Sequence, residues 1–363
     1  MRVAVLMTGL TAYQAKCFRT FADLGNQLLI VHPPSMAFAR FDYSDSVDAV
    51  ETVRRVAWTD NDRMPSAEEL LPMVEEFAPD VIIMWSWSGK GYRAVMKEWR
   101  GRALRVVFTS NFWHGTPKQA AGIAVHKWYV DPLFDVAWVP GERSEAFARR
   151  IGFSGRDIIR GANSADTGLF ASGPRTGAEL AARRRFLFTG RLIWHKAPTL
   201  LAEAYAAYRS LVEDPWELEV VGDGPLKSDL EGREGVRWRG FMNPSELADL
   251  MRASSCLILP SHIEWYGVVV HEAAVAGLPV ICADGVGAVP HLLQDGFNGF
   301  TVPAGDREEL TEAMVRMSTM SEERLGQMSD GSRALGSRLT PQIWAINLHE
   351  ELERRLGRLR AAT

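Results

Sequence analysis

Glu264 and Glu272 stand with seven residues between them in Pro260–Ile281, PSHIEWYGVVVHEAAVAGLPVI. Glu264 falls in a loop after an apolar strand, and Glu272 falls inside the helix that starts near Gly267. At 1.5 Å per residue the separation spans at most about 12 Å, roughly the reach of a folded nucleotide-sugar from ribose to sugar. The helix N-terminus between them offers N–H groups and partial positive charge, which suit a phosphate. Gly267 lets a ligand approach the backbone closely. The plainer alternative is an exposed loop glutamate and a helical glutamate paired with a basic side chain. Phe188–Leu201, FTGRLIWHKAPTLL, ends a strand at Gly190 and then supplies Arg191 and Lys196. A planar fork and a point charge at one strand end suit a diphosphate; solvated surface charges are the alternative. Val220–Leu226, VVGDGPL, places Gly222 and Gly224 after a strand. Lys227 takes the third glycine's place, so the dinucleotide fingerprint fails. A tight turn near a base and a plain strand-to-helix turn both fit. Gly240, Phe241 and Met242 follow another strand, where backbone could read a nucleobase edge or Phe241 could be core.

Weaker candidates surround these. Asp60-Asn61-Asp62 has the DxD form that holds manganese in one class of sugar-transferring enzymes, with a polar turn as the plain alternative. His262 and His271 lie near Glu264 without any metal-ligand spacing, so no metal site is expected. Trp85, Trp87, Phe112, Trp113, Trp128 and Tyr129 enrich the first half in aromatics near predicted strand ends. They can cover an acceptor, though most should be core. Ser86, Ser88 and Lys90 follow a strand end and could hydrogen-bond such an acceptor. Arg93, Lys97, Arg100, Arg102 and Arg105 form a basic stretch that fits a solvated helix face or an anionic membrane surface.

The elements that must position these residues alternate short apolar runs with amphipathic stretches, the pattern of parallel sheets with crossover helices. Strands are expected near Val3–Met7, Gln27–His32, Val81–Trp85, Leu104–Thr109 and Val136–Pro140, then Arg185–Thr189, Leu218–Val221, Gly235–Gly240, Cys256–Leu259 and Pro279–Cys282. The chain has 363 residues, which predicts two domains. Gly161–Arg175 has linker composition, so we expect one domain over 1–162 and another over 163–340. A charged helix over 341–360 is expected to pack back on the first. Open parallel sheets bind ligands beyond the carboxyl ends of their strands, which predicts a deep cleft between two such halves. Hydrophobic content of 47% and a net charge of -4 exclude a disordered chain and give nucleic-acid binding no electrostatic support. Three dispersed cysteines fit reduced thiols. The sequence shows no signal-peptide pattern and no membrane-length apolar run, so a cytoplasmic protein is expected.

In order, Gly190, Arg191 and Lys196; Gly222, Gly224 and Pro225; Glu264 and Glu272; and Gly277, Pro279 and Val280 resemble the retaining glycosyltransferases of family four, which have the GT-B fold. Their pattern holds a GR-x4-K element, a GxGP turn, and E-x7-E followed by G-x-PVI. Asn163-Ser164-Ala165-Asp166 and Phe170 resemble the family's join, and the likeness runs from Asn163 to about Met320. The resemblance implies an α/β protein of two Rossmann-like domains facing across a cleft, the first binding acceptor and the second donor. It implies that Arg191 and Lys196 hold the donor diphosphate, that Glu272 bonds the ribose hydroxyls, and that Glu264 faces the donor sugar. Backbone N–H groups of Gly267, Val268 and Val269 would touch sugar or phosphate, and Phe241 and Met242 would flank the base. The sequence departs from the family in its first half. Only Gly9 stands where a glycine pair is common, and Val106–Gly115 lacks a clean histidine match, leaving Asn111 or His114 to take that place. Asn111, Trp113 and Ser86 are the expected acceptor contacts. His291 stands where an acidic residue is common.

These likenesses imply retaining transfer from a UDP- or GDP-sugar, as cosubstrate and without cofactor or metal, to a saccharide, lipid-linked or small acceptor. Peripheral contact with the inner face of a membrane is part of that expectation. A phosphorolytic or epimerising sugar enzyme, or an inactive nucleotide-sugar-binding subunit, are the competing readings.

Overall fold

The computed structural model describes residues 1–32, 52–57, 64–85, 87 and 89–362. The expected DxD segment at Asp60–Asp62, and Ser86 and Ser88, lie outside the described residues. The chain divides into two compact units, Met1–Ser164 with Leu339–Thr363, and Ala165–Arg338.

The first unit holds a wholly parallel sheet of β1 (Arg2–Leu6), β2 (Gln27–His32), β3 (Val53–Ala57), β4 (Val81–Trp85), β5 (Leu104–Phe108), β6 (Val136–Trp138) and β7 (Ile158–Ile159). Their spatial order is β3-β2-β1-β4-β5-β6-β7. The central strand β4, VIIMW, is buried along its whole length, as expected where helices cover both faces. Among the covering helices, Ala67–Phe77 starts on a reciprocal cap: Ser66 N–H donates to Glu69 Oε2 at 2.8 Å and Glu69 N–H donates to Ser66 Oγ.

Aromatic side chains fill one face of this sheet. Trp85 stacks on Phe108 at 3.9 Å between centroids, and Trp138 meets Trp344 at 5.3 Å. Trp344 belongs to the Pro341–Ala362 helix, which buries Trp344, Leu348, Leu352 and Leu356 in this core. Its indole N–H donates to Ala162 O at 2.9 Å.

The basic stretch is mixed: Lys97, Arg100 and Arg102 are exposed, as on a solvated face, whereas Arg93 is half-buried and Arg105 lies inside. Arg105 is 3% exposed, forks onto Asp135 and donates to Met96 O and Pro132 O. Arg102 forks onto Glu75, and Arg93 lies 3.6 Å over the Tyr129 ring.

The second unit repeats the plan with β8 (Arg185–Thr189), β9 (Glu217–Val221), β10 (Val236–Gly240), β11 (Cys256–Leu259), β12 (Val280–Ala283) and β13 (Gly299–Val302). All pairs are parallel, in the order β10-β9-β8-β11-β12-β13. Counting from the first strand of each sheet, both contain the doubly wound order 3-2-1-4-5-6. The order reverses between β8 and β11 in the second unit. In doubly wound sheets, ligands bind beyond the carboxyl ends of the strands at such a switch point.

Candidate active site

The two loops at that switch point carry the sequence-predicted residues. After β8, Gly190 turns the chain, Arg191 stands exposed, and a tight turn over Trp194–Lys196 leads into the Pro198–Leu211 helix. After β11, Ser261–Tyr266 leads to Gly267 and the Val268–Val275 helix. A third loop, after β12, is stitched to the second. Gly287 N–H donates to Glu264 O at 2.9 Å, and Ala288 N–H donates to Tyr266 O at 2.8 Å. Ile263 N–H reaches back to His195 O at 3.3 Å. Backbone hydrogen bonds therefore fix Glu264 and Lys196 relative to one another.

Lys196 Nζ donates to the Glu264 carboxylate. Both side chains are mostly buried, at 16% and 13% exposed. Burial, and secondarily the nearby Arg191, pull the Lys196 ammonium down to about 8. Contact with a carboxylate favours the charged ammonium. Arg191 makes no ion pair among the described residues. The site thus holds one cation open to a ligand and one cation occupied by Glu264.

Glu272 lies on the Val268–Val275 helix and is half-buried. Desolvation, with a smaller push from the Asp166 carboxylate, raises its carboxyl to about 7. A carboxylate this poorly solvated gains from any ligand that donates hydrogen bonds to it. Gly267 caps the helix at φ +87°, a left-handed conformation that favours glycine, and Val268 and Val269 form its first turn. His271, on the same helix, is fully buried and structural: Ala165 N–H donates to Nδ1 at 3.0 Å, and Nε2–H donates to Gly336 O at 2.8 Å. Burial lowers its pKa to about 4. No group of residues able to hold a metal ion occurs among the described residues.

The glycine-rich turn after β9 presses against the loop after β8. Gly222 N–H donates to Gly240 O at 2.7 Å, and Leu192 N–H donates to Asp223 O at 2.9 Å. A Cβ on Gly222 would stand 1.9 Å from Gly190 O, at φ +132°. The Gly222→Ala variant should therefore lose about 2 kcal/mol of stability, as a lower thermal midpoint, because backbone has to yield. It should also weaken binding of any ligand held by Arg191 and Lys196; an unchanged midpoint would contradict this packing. Phe241 is 38% exposed after β10, while Met242 packs partly against the core.

The first-unit candidates form a separate group. Gly9 lies in the loop after β1. Asn111 N–H donates to Thr109 Oγ1, and Trp113 packs partly against core under Arg150. His114 is exposed. Its ring rests 4.1 Å from Phe112 by centroid, and its backbone N–H donates to Gln119 Oε1 at 2.8 Å. Partial desolvation lowers its pKa.

Residues 183–320 match the family described as Glycosyl transferases group 1. The chain is similar to D-inositol 3-phosphate glycosyltransferase of Streptomyces bingchenggensis, with 36% identity over 36% of this chain and 32% of that protein. It is similar to alpha-D-kanosaminyltransferase of Streptomyces kanamyceticus, with 28% identity over 56% of this chain and 52% of that protein. The matched stretches span about a third to a half of the length of these curated relatives. Among solved structures, HepE of Anabaena in complex with UDP and glucose aligns with a TM-score of 0.73 and 18% identity, over 98% of this chain and 100% of that one. Sucrose-phosphate synthase of Thermosynechococcus elongatus aligns with a TM-score of 0.75 and 17% identity, over the whole of both chains.

Proposed function

We propose, for a chain of GT-B fold whose residues 183–320 match the glycosyl transferases group 1 family, transfer of a sugar from a nucleoside diphosphate sugar to an acceptor hydroxyl, with retention and without a metal. The observation that carries this reading is the meeting of Lys196 and Glu264 at the switch point of the second sheet, with Arg191 open beside them. In this reading the donor diphosphate takes Arg191 and Lys196, Glu272 accepts from the ribose hydroxyls, and Phe241 and Met242 flank the base. Gly190, Gly222 and the N–H groups of Gly267, Val268 and Val269 line the donor. As the anomeric C–O bond breaks, positive charge builds on the sugar and negative charge on the diphosphate. The cations meet the second charge, and Glu264, released from Lys196, faces the first. The acceptor oxygen bonds the anomeric carbon on the face that the phosphate leaves, and its proton passes to a phosphate oxygen. Asn111, Trp113 and Ser86 serve the acceptor, and Gly9 and His114 the sugar.

The test is a thermal-shift panel of UDP, GDP, ADP and dTDP with EDTA present, followed by the anomeric configuration of the product by NMR. One nucleotide should raise the midpoint without metal, because it binds only folded protein. No shift with any nucleotide, with or without magnesium or manganese, would sink the donor site. An inverted product would sink the mechanism. Dependence on orthophosphate would point to a phosphorolytic enzyme, and turnover without acceptor to an epimerase.

Membrane contact belongs to the same proposal. The Pro117–Tyr129 helix buries none of its side chains, and Val125, Trp128 and Tyr129 are 47%, 78% and 45% exposed. Trp99–Val130 contains no Asp or Glu, and Lys118 and Lys127 are exposed on this helix. No helix among the described residues is long and apolar enough to cross a membrane, so contact would be at the surface. The protein should sediment with phosphatidylglycerol vesicles and not with phosphatidylcholine ones. Lys127→Glu should weaken this by more than fivefold, given about 1 kcal/mol per basic residue and a reversed charge. Equal binding to both vesicles would remove the idea.

A further inference from the structure

Two large aromatic side chains beside the Lys196–Glu264 pair have no role in the reading above. Trp194 is 67% exposed and Trp265 is 42% exposed. Each faces a histidine: Trp194 and His262 have centroids 5.2 Å apart at 32°, and His195 and Trp265 are 5.7 Å apart, nearly edge to face. Neither indole N–H has a hydrogen-bond partner among the described residues. The loops beneath them are fixed. Leu192 exchanges backbone bonds with Asp223 and Leu226, Ala197 holds φ +55°, and the Ile263–His195 and Gly287–Glu264 bonds lock the other side. An exposed indole on a mobile loop costs little to leave idle. Two on locked loops, next to a charged site, form a rigid amphipathic surface of the kind that ligands use.

We propose that Trp194 and Trp265, with His262 and His195, form a stacking subsite for a pyranose ring. A pyranose has an apolar C–H face and a rim of hydroxyls; an indole offers a flat apolar face and an N–H donor at its edge. Burial and the adjacent Lys196 and Arg191 lower the His195 pKa, so its imidazole is neutral at pH 7 and adds no competing charge. The subsite deepens the glycosyl-transfer reading, on which its ligand class rests. The ring could come from the donor or from a saccharide acceptor.

The experiment uses the full chain labelled with 5-fluorotryptophan, its fluorine signals assigned through Trp194→Phe and Trp265→Phe. Methyl α-glucopyranoside, maltose, UDP and UDP-glucose are titrated, with GDP and GDP-mannose substituted if the nucleotide panel names GDP. Shifts of both signals with the nucleotide-sugar but not the nucleotide assign the donor sugar. Shifts with maltose alone assign the acceptor. Alanine at either tryptophan should weaken that saccharide's binding by roughly five- to tenfold and leave the bare nucleotide's unchanged, while phenylalanine restores most of it. If neither signal moves with any of these saccharides, the subsite is wrong even where a nucleotide still stabilises the protein. If free saccharide moves them and no nucleotide binds, the subsite stands and the donor reading fails.

Discussion

Glu264→Gln should lower turnover by about a hundred- to a thousandfold while nucleoside diphosphate binding persists and tightens. Both halves follow from one contact. The Glu264 carboxylate accepts from Lys196 Nζ, and both groups are mostly buried. A diphosphate that uses Lys196 has to displace that carboxylate, so part of its binding energy is spent on breaking the pair. A neutral amide competes less, and the nucleotide gains several-fold in affinity. The same amide cannot stabilise positive charge on a departing sugar, so the chemical step slows. Lys196→Ala should act on both steps in one direction: weaker nucleotide and slower transfer. Calorimetry with the nucleotide named by the thermal panel and steady-state transfer rates separate these signs. Unaltered turnover in Glu264→Gln would remove Glu264 from the mechanism. Weaker nucleotide binding in that variant would show that the ion pair supports the site. A further consequence concerns pH. With Glu264 in place, burial and secondarily the Arg191 repulsion bring Lys196 to about 8, and removing the carboxylate takes away a group that favours the ammonium. Nucleotide affinity in Glu264→Gln should therefore begin to fall at a lower pH than in the parent.

Most strands of the second unit were legible because they contain a short apolar run, as in Cys256–Leu259, which is buried along its whole length. Their order was legible only through the family likeness, since a run of apolar residues says nothing about its neighbours. Several elements were not readable, among them β3, β13 and the Pro117–Tyr129 helix. β3 is VRRVA, whose two adjacent arginines break any apolar run. β13 is GFTV, short and opened by a glycine. The Pro117–Tyr129 helix buries no side chain and so shows no apolar stripe. Arg105 misled for the opposite reason: a charge amid other charges looks like surface, yet Asp135 and two carbonyls let it lie inside. The Pro341–Ala362 helix reads as charged, and its stripe of Trp344, Leu348, Leu352 and Leu356 shows why it can also be core. At the candidate site, residue types and spacing pointed to Arg191, Lys196, Glu264 and Glu272. They could not show that Lys196 and Glu264 meet, or that Trp194 and Trp265 stay exposed. Both facts depend on loops from different strands arriving at one place.

Glu272 should make stability and ligand affinity respond to pH in opposite directions. Its folded-state pKa is about 7 against an ordinary value of 4.5. The folded protein therefore holds a proton that the unfolded chain has lost between those two values. Stability falls as pH rises through that window, and the penalty is complete above pH 7. Its size is roughly 3–4 kcal/mol at most, since each tenfold change in proton affinity corresponds to about 1.4 kcal/mol. Glu272→Gln removes the titrating group, so the variant should melt several degrees above the parent at pH 8 and close to it at pH 4.5. Ligand binding reverses the preference. Ribose hydroxyls donate to the carboxylate and need it ionised, so nucleotide binding should expel a proton. Below about pH 7 the parent should lose close to tenfold in affinity for each pH unit, and above it the dependence should flatten. Titrations in two buffers of different ionisation enthalpy would reveal the proton directly. Glu272→Gln should bind weakly and without this slope. A parent affinity that stays level from pH 5.5 to 8, matched by the glutamine variant, would mean that Glu272 does not touch the nucleotide and that its raised pKa only records burial.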